Sequence, residues 1–326
     1  MTKLPLHFAQ GLLMGGADII PGVSGGTMAL IVGIYKRLIH AISEAVSALL
    51  LVLRGKFGEG IAAFKALEWG LLLPLVAGIG VAIGVGTLFI PHLLETYPVQ
   101  CRALFFGLVA GSLIIPWNER HEHRTWHYAV AVVAAVAAFL LVGLPRSGDA
   151  ADPGALRIFF TAAVAINAMI LPGVSGAFLL EVFGLYSTTL EALRSLDIGY
   201  VLTFGAGAAF GLGAFAKLLG YLLEHRHDVT MAVLVGLLTG SLRALWPWVG
   251  YAEHVGSDGV AERVPDPSVL LSPGADPALL LGGGGVGWLP AIGLALLGFA
   301  FVTGLAWVGR RRLGHGEEVI ADELGD

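Results

Sequence analysis

Two short stretches hold the residues best placed to do chemistry: "ADIIPGVSGGTMALIVGIY" at 17–35 and "AMILPGVSGAFLLEVFGLY" at 168–186. They are identical at nine of nineteen positions. In each, Pro-Gly-Val-Ser-Gly interrupts an apolar run. Pro21 removes a backbone donor and disfavours helix at Ile20, so the first arm must end there. Ser24 can then cap a second arm, and Pro172 and Ser175 repeat the arrangement. The first N–H groups of the new arm, around Gly25, Gly26 and Thr27 and again around Gly176, have no helical partner. Such groups favour anions, and Gly22 and Gly173 let a bulky oxyanion come close. The chemistry implied is anion binding rather than bond making.

Four charged residues fall within apolar sequence. Arg243 lies in the run 230–248, where a guanidinium would fork onto phosphate oxygens. Lys217, in 198–222, is a second cation for the same anion. A charge inside a membrane segment is costly and points to function. Asp18, three residues before the first break, would repel a phosphate if ionised. It is therefore expected to pair with Arg243 or Lys217, or to carry a coupling proton. Glu181, where the first copy has Leu30, is a second candidate for that role.

The elements that must position these residues are membrane helices. Of 326 residues, 56% are hydrophobic and 13% charged, against about 25% charged in soluble domains. The mean hydropathy is +0.81. The 47 glycines suit close helix packing in lipid. One cysteine, Cys101, excludes an intrachain disulfide framework, and nothing in the chain asks for a nucleic acid.

Crossing the bilayer takes about 20 apolar residues, and spans are expected at 70–91, 99–117, 127–144, 198–222, 230–248 and 287–309. Residues 36–53 read as an interfacial amphipathic helix. The arms around each break are too short to cross alone and read as re-entrant hairpins at 7–35 and 157–187. "GLVAGSL" at 107–113 returns as "GLLTGSL" at 236–242, an offset of 129. The expected fold is thus an all-α polytopic membrane protein built as an inverted repeat, residues 1–150 and 151–312. Each half has one hairpin and three spans. A periplasmic loop at 249–286 and a cytoplasmic tail at 313–326 complete it. With both termini inside, twelve basic residues lie on the cytoplasmic side against five outside, as the positive-inside rule requires. Inverted broken elements meeting within the membrane are how many secondary transporters build a substrate site.

"ADIIPGVSGGT" with "GIY", "ILPGVSGAFLL" with "GLY", and "GLLTGSLRALWPW" at 236–248 resemble the bacterial polyprenyl-phosphate translocases, over roughly residues 4–309. The resemblance implies a transporter of the bacterial cytoplasmic membrane. Such a protein returns undecaprenyl phosphate, the lipid carrier of cell-wall and surface glycans, from the outer to the inner leaflet. It implies no cofactor, and it carries Pro21, Gly22, Ser24, Gly25, Gly26, Thr27, Pro172, Gly173, Ser175, Gly176 and Arg243 as site residues.

Two other classes were weighed. A membrane lipid phosphatase needs a nucleophile with general acid/base partners, and here the histidines sit in turns away from both breaks. A carrier or channel for a small soluble anion would use the same breaks but needs no lateral opening to lipid. The histidine-rich turns "NERHEHRTWH" at 118–127 and "EHRHD" at 224–228 read as solvated loops with no metal. Gly282 to Gly285 lacks the Lys-Ser/Thr of a phosphate-binding loop.

The topology is testable with membrane-impermeant thiol reagents. A cysteine at position 60 is expected to react only from the cytoplasmic side and one at 265 only from the periplasmic side. Labelling of both from one side rules the topology out.

Overall fold

The computed structural model describes residues 3–20, 23–122, 124–144, 153–255, 261–272 and 288–323. The first half comprises α1 (Leu4–Asp18), α2 (Gly25–Ile31), α3 (Tyr35–Leu53), α4 (Phe57–Ala66), α5 (Trp69–Thr96), α6 (Pro98–Ser112), α7 (Ile114–Asn118) and α8 (Thr125–Val142). The second comprises α9 (Ala155–Ile170), α10 (Gly176–Val182), α11 (Tyr186–Arg194), α12 (Ile198–His225), α13 (His227–Ser241) and α14 (Trp288–Glu323). Among the described residues six helical segments are long and apolar enough to cross a membrane, and they match the six expected spans within a few residues. The protein is an all-α polytopic membrane protein. Its outward faces carry exposed Leu88, Phe89, Val133 and Leu296, which lipid would cover.

The halves correspond in length as well as sequence. Helices α5 and α12 each have 28 residues, α6 and α13 each 15, and α2 and α10 each seven. Each first arm packs on its own half's first span: Gly11 and Gly15 of α1 lie on the backbone of Leu75 and Ile79, and Gly207 and Gly211 of α12 on Phe159 and Ala163. The later spans exchange partners between halves. Gly107 and Gly111 of α6 meet Ala295 and Phe299 of α14, while Gly236 and Gly240 of α13 meet Ala131 and Ala135 of α8. In all four pairs the register rises in step along both chains, so the helices run parallel. Glycines four apart let the backbones touch where any side chain would hold them off.

Between these pairs lies one apolar core that both halves share. Met14, Leu30 and Tyr35 from the first pack with Met231, Leu234 and Leu238 from the second. Helix α3 buries Tyr35 and Ile39 on the face toward the shared core and sets Val46 against Gly213 of α12, while Ala48 and Val52 on its opposite face meet Gly60 of α4.

Three expectations need correction. The span expected to run through 248 ends as α-helix at Ser241, followed by a 3-10 turn at Leu242–Leu245. Pro247 holds Trp246 in an extended conformation (φ −54°, ψ 124°), so helix cannot continue. Arg243 consequently sits in this turn, not mid-span. The expected loop at 249–286 begins as an antiparallel hairpin, β1 (Val249–Val255) on β2 (Ala261–Leu270), with an irregularity after Val249. Residues 282–285 lie outside the described residues. The expected tail at 313–326 continues α14 to Glu323.

Gly60 packs against Val52, whereas Gly58 faces open space, so Gly58→Cys is the cleaner labelling probe of α4. Gly236→Leu is expected to force α8 and α13 apart, costing about 1–3 kcal/mol or more. A lower unfolding temperature in detergent would register it, and a wild-type melting curve would show that the contact is not limiting.

Candidate functional site

The two breaks meet directly. Ser24 caps α2 by accepting from the Gly26 N–H (3.1 Å), and its hydroxyl donates to the Met169 carbonyl at the end of α9 (3.0 Å). Thr27, fully buried, accepts the Gly173 N–H of the second break on Oγ1 (2.9 Å). Gly26 lies so close to the Ile170 carbonyl that a Cβ would overlap it, and Gly176 is wedged against Ala165 and Met169 in the same way. Gly173 holds a left-handed φ of +86° against Ser241 and Leu238, a conformation glycine tolerates best. Ser175 caps α10 by accepting from the Phe178 N–H (3.4 Å).

Two of the three donors that the sequence suggested would be open at the first break are already taken. The Gly25 N–H donates to Asp18 Oδ1 (2.6 Å) and the Gly26 N–H to Ser24. The carboxylate of Asp18 thus stands where an anion would bind, with Oδ2 in the space that a Cβ at position 25 would need. The partner of Asp18 is this N–H, not Arg243 or Lys217 as expected; among the described residues neither of those forms an ion pair with it.

Beside the breaks lies a cavity of about 140 Å³. Asp18, Ile19 and Ile20 form one wall, and Gly173, Val174, Ser175, Phe178 and Glu181 another; Arg102, Tyr186, Ala244 and Pro267 close it. Small-molecule pockets run from about 300 Å³ upward, so this one suits a headgroup and leaves a long tail outside. Arg102, at 8% exposure, donates from Nε to the Trp246 carbonyl (3.1 Å) and from Nη2 to the Ala244 carbonyl (2.5 Å). These bonds fix the plane of the guanidinium at the cavity edge.

The structure brings Asp18, Gly173, Ser175 and Glu181 to one cavity, with Ser24, Gly25, Gly26, Thr27 and Gly176 forming the contact behind it. Gly22 lies outside the described residues. Arg243 does not line the cavity. Its Nε donates to the Pro267 carbonyl (2.8 Å), its Nη1 to the Phe139 carbonyl (2.9 Å), and its guanidinium rests 4.4 Å from the centre of the Phe139 ring. Lys217 lies in a separate groove of about 620 Å³ between α3 and α12, lined also by Lys36, His40, Ser43, Tyr221 and Glu224.

Arg102 and Tyr186 were missed as site residues. Arg102 is the single basic residue in the expected span 99–117. That signal was overlooked because its place near the start of the span assigned it to the outer surface.

Six helices long and apolar enough to cross a membrane, among the described residues, and a cavity beside two helix breaks are the architecture of a polytopic membrane protein. The chain belongs to the undecaprenyl phosphate translocase-like family, whose pattern matches residues 14–260. It is 33% identical over 299 residues to a polyprenyl-phosphate transporter of Vibrio cholerae serotype O1, covering 91% of this chain and 94% of the relative. It is 30% identical over 261 residues to a polyprenyl-phosphate transporter of Staphylococcus aureus, covering 74% and 86%. No solved structure matches it. The family and these relatives identify a transporter rather than an enzyme.

Thr27→Val keeps the shape of the side chain but strands the buried Gly173 N–H, which costs about 1–3 kcal/mol. The expected result is a lower unfolding temperature in detergent. An unchanged one would mean that the two breaks are not held by this bond.

Proposed function

We propose that the protein carries polyprenyl phosphate, with undecaprenyl phosphate its natural form, from the outer to the inner leaflet of the bacterial cytoplasmic membrane. The observation that carries this reading is the cavity whose lining joins Arg102 and Asp18 to Gly173 and Ser175 of the second break. The phosphate enters beside Arg102, Gly173 and Ser175, while the prenyl tail stays in lipid.

Several features support an inverted repeat of re-entrant hairpins with both termini inside. Helix α5 reverses into α6 through Tyr97 alone, and α12 into α13 through Arg226 alone. Because α13 runs parallel to α8, the parallel pairing of α1 with α5 and of α9 with α12 gives the two first arms opposite senses. In that orientation the Arg102 cavity lies toward the periplasm and the Lys217 groove toward the cytoplasm. Lys217 then meets the headgroup on the inner side, and Arg243 builds the cavity wall by tying Pro267 to Phe139. A small-anion carrier or channel would use the same breaks, and a lateral opening to lipid is the feature that separates the two readings.

Asp18 serves as a stand-in for the substrate. Ionised, it occupies the Gly25 N–H and opposes the phosphate; protonated, it releases that donor. Arg102, Glu181 and Tyr186 line the same cavity and share its charge balance.

Reconstitution with fluorescent polyprenyl phosphate and leaflet-resolved quenching tests the proposal. Removing a charge-assisted hydrogen bond costs about 1.5–3 kcal/mol, so Arg102→Ala is expected to reduce transport roughly ten- to a hundred-fold. Arg243→Ala is expected to impair it by loosening the wall. A folded Arg102→Ala protein that transports normally would remove the cavity from the mechanism. Asp18→Asn is expected to bind the lipid at least as well as wild type while losing its response to a proton gradient. If binding and that response both stay unchanged, Asp18 is scaffold.

A further inference from the structure

The two histidine-rich turns, read separately in the sequence as solvated loops, come together in the fold. His121, between α7 and α8, meets His227 and Asp228 in the first turn of α13, and one ligand atom from each lies within 4.8 Å of the others. We propose that these three residues bind a divalent transition-metal ion, zinc by preference, which clamps the two halves of the chain together on the face opposite the β-hairpin.

Distances favour a metal over simple hydrogen bonding. The Nδ1 atoms of His121 and His227 stand 3.4 Å and 3.3 Å from Asp228 Oδ1. Good N–H···O hydrogen bonds cluster near about 2.9–3.0 Å, so both contacts are long for that purpose. Ligands at about 2.0–2.2 Å from a tetrahedral zinc sit roughly 3.3–3.5 Å apart. The observed separations match that edge.

The carboxylate is also held as a ligand should be. Asp228 accepts the His121 N–H on Oδ1 (2.9 Å) and the Glu122 N–H on Oδ2 (2.9 Å), and such outer-shell bonds orient metal-binding carboxylates. The imidazole rings lie with centroids 4.9 Å apart. His227 and Asp228 are largely buried, at 15% and 17% exposure, while His121 is open at 78%. The surrounding pocket, about 370 Å³, admits water for the fourth position.

Charge does not oppose the ion. The N-terminus of α13 and the cations Arg124 and Arg226 disfavour it, but Glu122, Glu224 and Asp228 line the same pocket, and Arg124 is already paired with Glu122 (2.6 Å). Two imidazoles and a carboxylate suit zinc, whereas magnesium prefers an all-oxygen octahedron.

The test uses the full chain in detergent, purified without a polyhistidine tag, stripped with chelator and titrated with zinc chloride by calorimetry. Binding of one zinc per chain is expected, with a rise in unfolding temperature that magnesium does not give. Cobalt substituted at the site should show the intense visible bands of tetrahedral coordination. His121→Ala, at an exposed position, is expected to fold. It should lose more affinity than the roughly 10- to 100-fold that loss of an outer-shell partner costs. His225→Ala, in the same pocket but outside the triad, should bind as wild type does. Equal zinc responses in wild type and His121→Ala, or no one-to-one binding by wild type, would overturn the site.

Discussion

The structure depends on what becomes of backbone N–H groups exposed by two helix breaks in an apolar setting. An orphaned donor in lipid is too costly to leave, and this chain solves the problem by bringing its two breaks together. Thr27 takes the Gly173 N–H, Ser24 takes the Gly26 N–H and reaches across to Met169, and Asp18 takes the Gly25 N–H. The two bonds that cross between the breaks, Thr27 to Gly173 and Ser24 to Met169, need the two segments in close contact. That is why Gly26 and Gly176, which have no room for a Cβ, stand at the meeting point.

The same demand for close backbone contact organises the scaffold. Lipid gives helices no hydrophobic reason to associate, so packing must come from shape. Glycines spaced four apart supply it at four parallel pairs. Because α6 pairs with α14 and α8 with α13, the halves are interleaved and the breaks cannot drift apart without unpacking helices from both. The sequence motif that revealed the repeat, Gly-x-x-x-Gly-Ser-Leu, is itself this packing surface. Gly107 and Gly111 form it once, Gly236 and Gly240 again.

Much of this was legible in the sequence because membrane helices obey few rules. Length and apolarity located six spans, and the duplicated Pro-Gly-Val-Ser-Gly located the site. Side-chain direction was not legible. Arg243 and Arg102 are both lone cations in apolar sequence, and only packing decides which faces the cavity. The guanidinium of Arg243 is drawn against Gly143 and the Phe139 ring, whereas Arg102 is drawn under the Trp246 and Ala244 carbonyls. Nor could the sequence show that Asp18 satisfies an N–H seven residues ahead, since that depends on how sharply the chain turns at the break. The turns around His121 and Asp228 failed to register for a related reason: each is ordinary alone, and their contact spans 107 positions.

The location of Asp18 constrains how an anion can use the cavity. Of the described acidic and basic residues lining it, one is a cation, Arg102, and two are acids, Asp18 and Glu181. A phosphate monoester carries about −1.5 to −2 charges near neutral pH. Bringing that charge beside two ionised carboxylates in a low-dielectric space costs far more than one guanidinium returns. A phosphate therefore cannot simply be added to the resting arrangement. Either a carboxylate is neutralised as the headgroup arrives, or it swings away with the segment that carries it. Asp18 is the group for which both are feasible, because its hold on α2 is a single N–H bond at the edge of a break. Exchange of one anion for another at the Gly25 N–H leaves that donor satisfied throughout. On the proposed reading it also turns a broken helix in lipid into a means of linking substrate binding to a proton or to motion of the first hairpin.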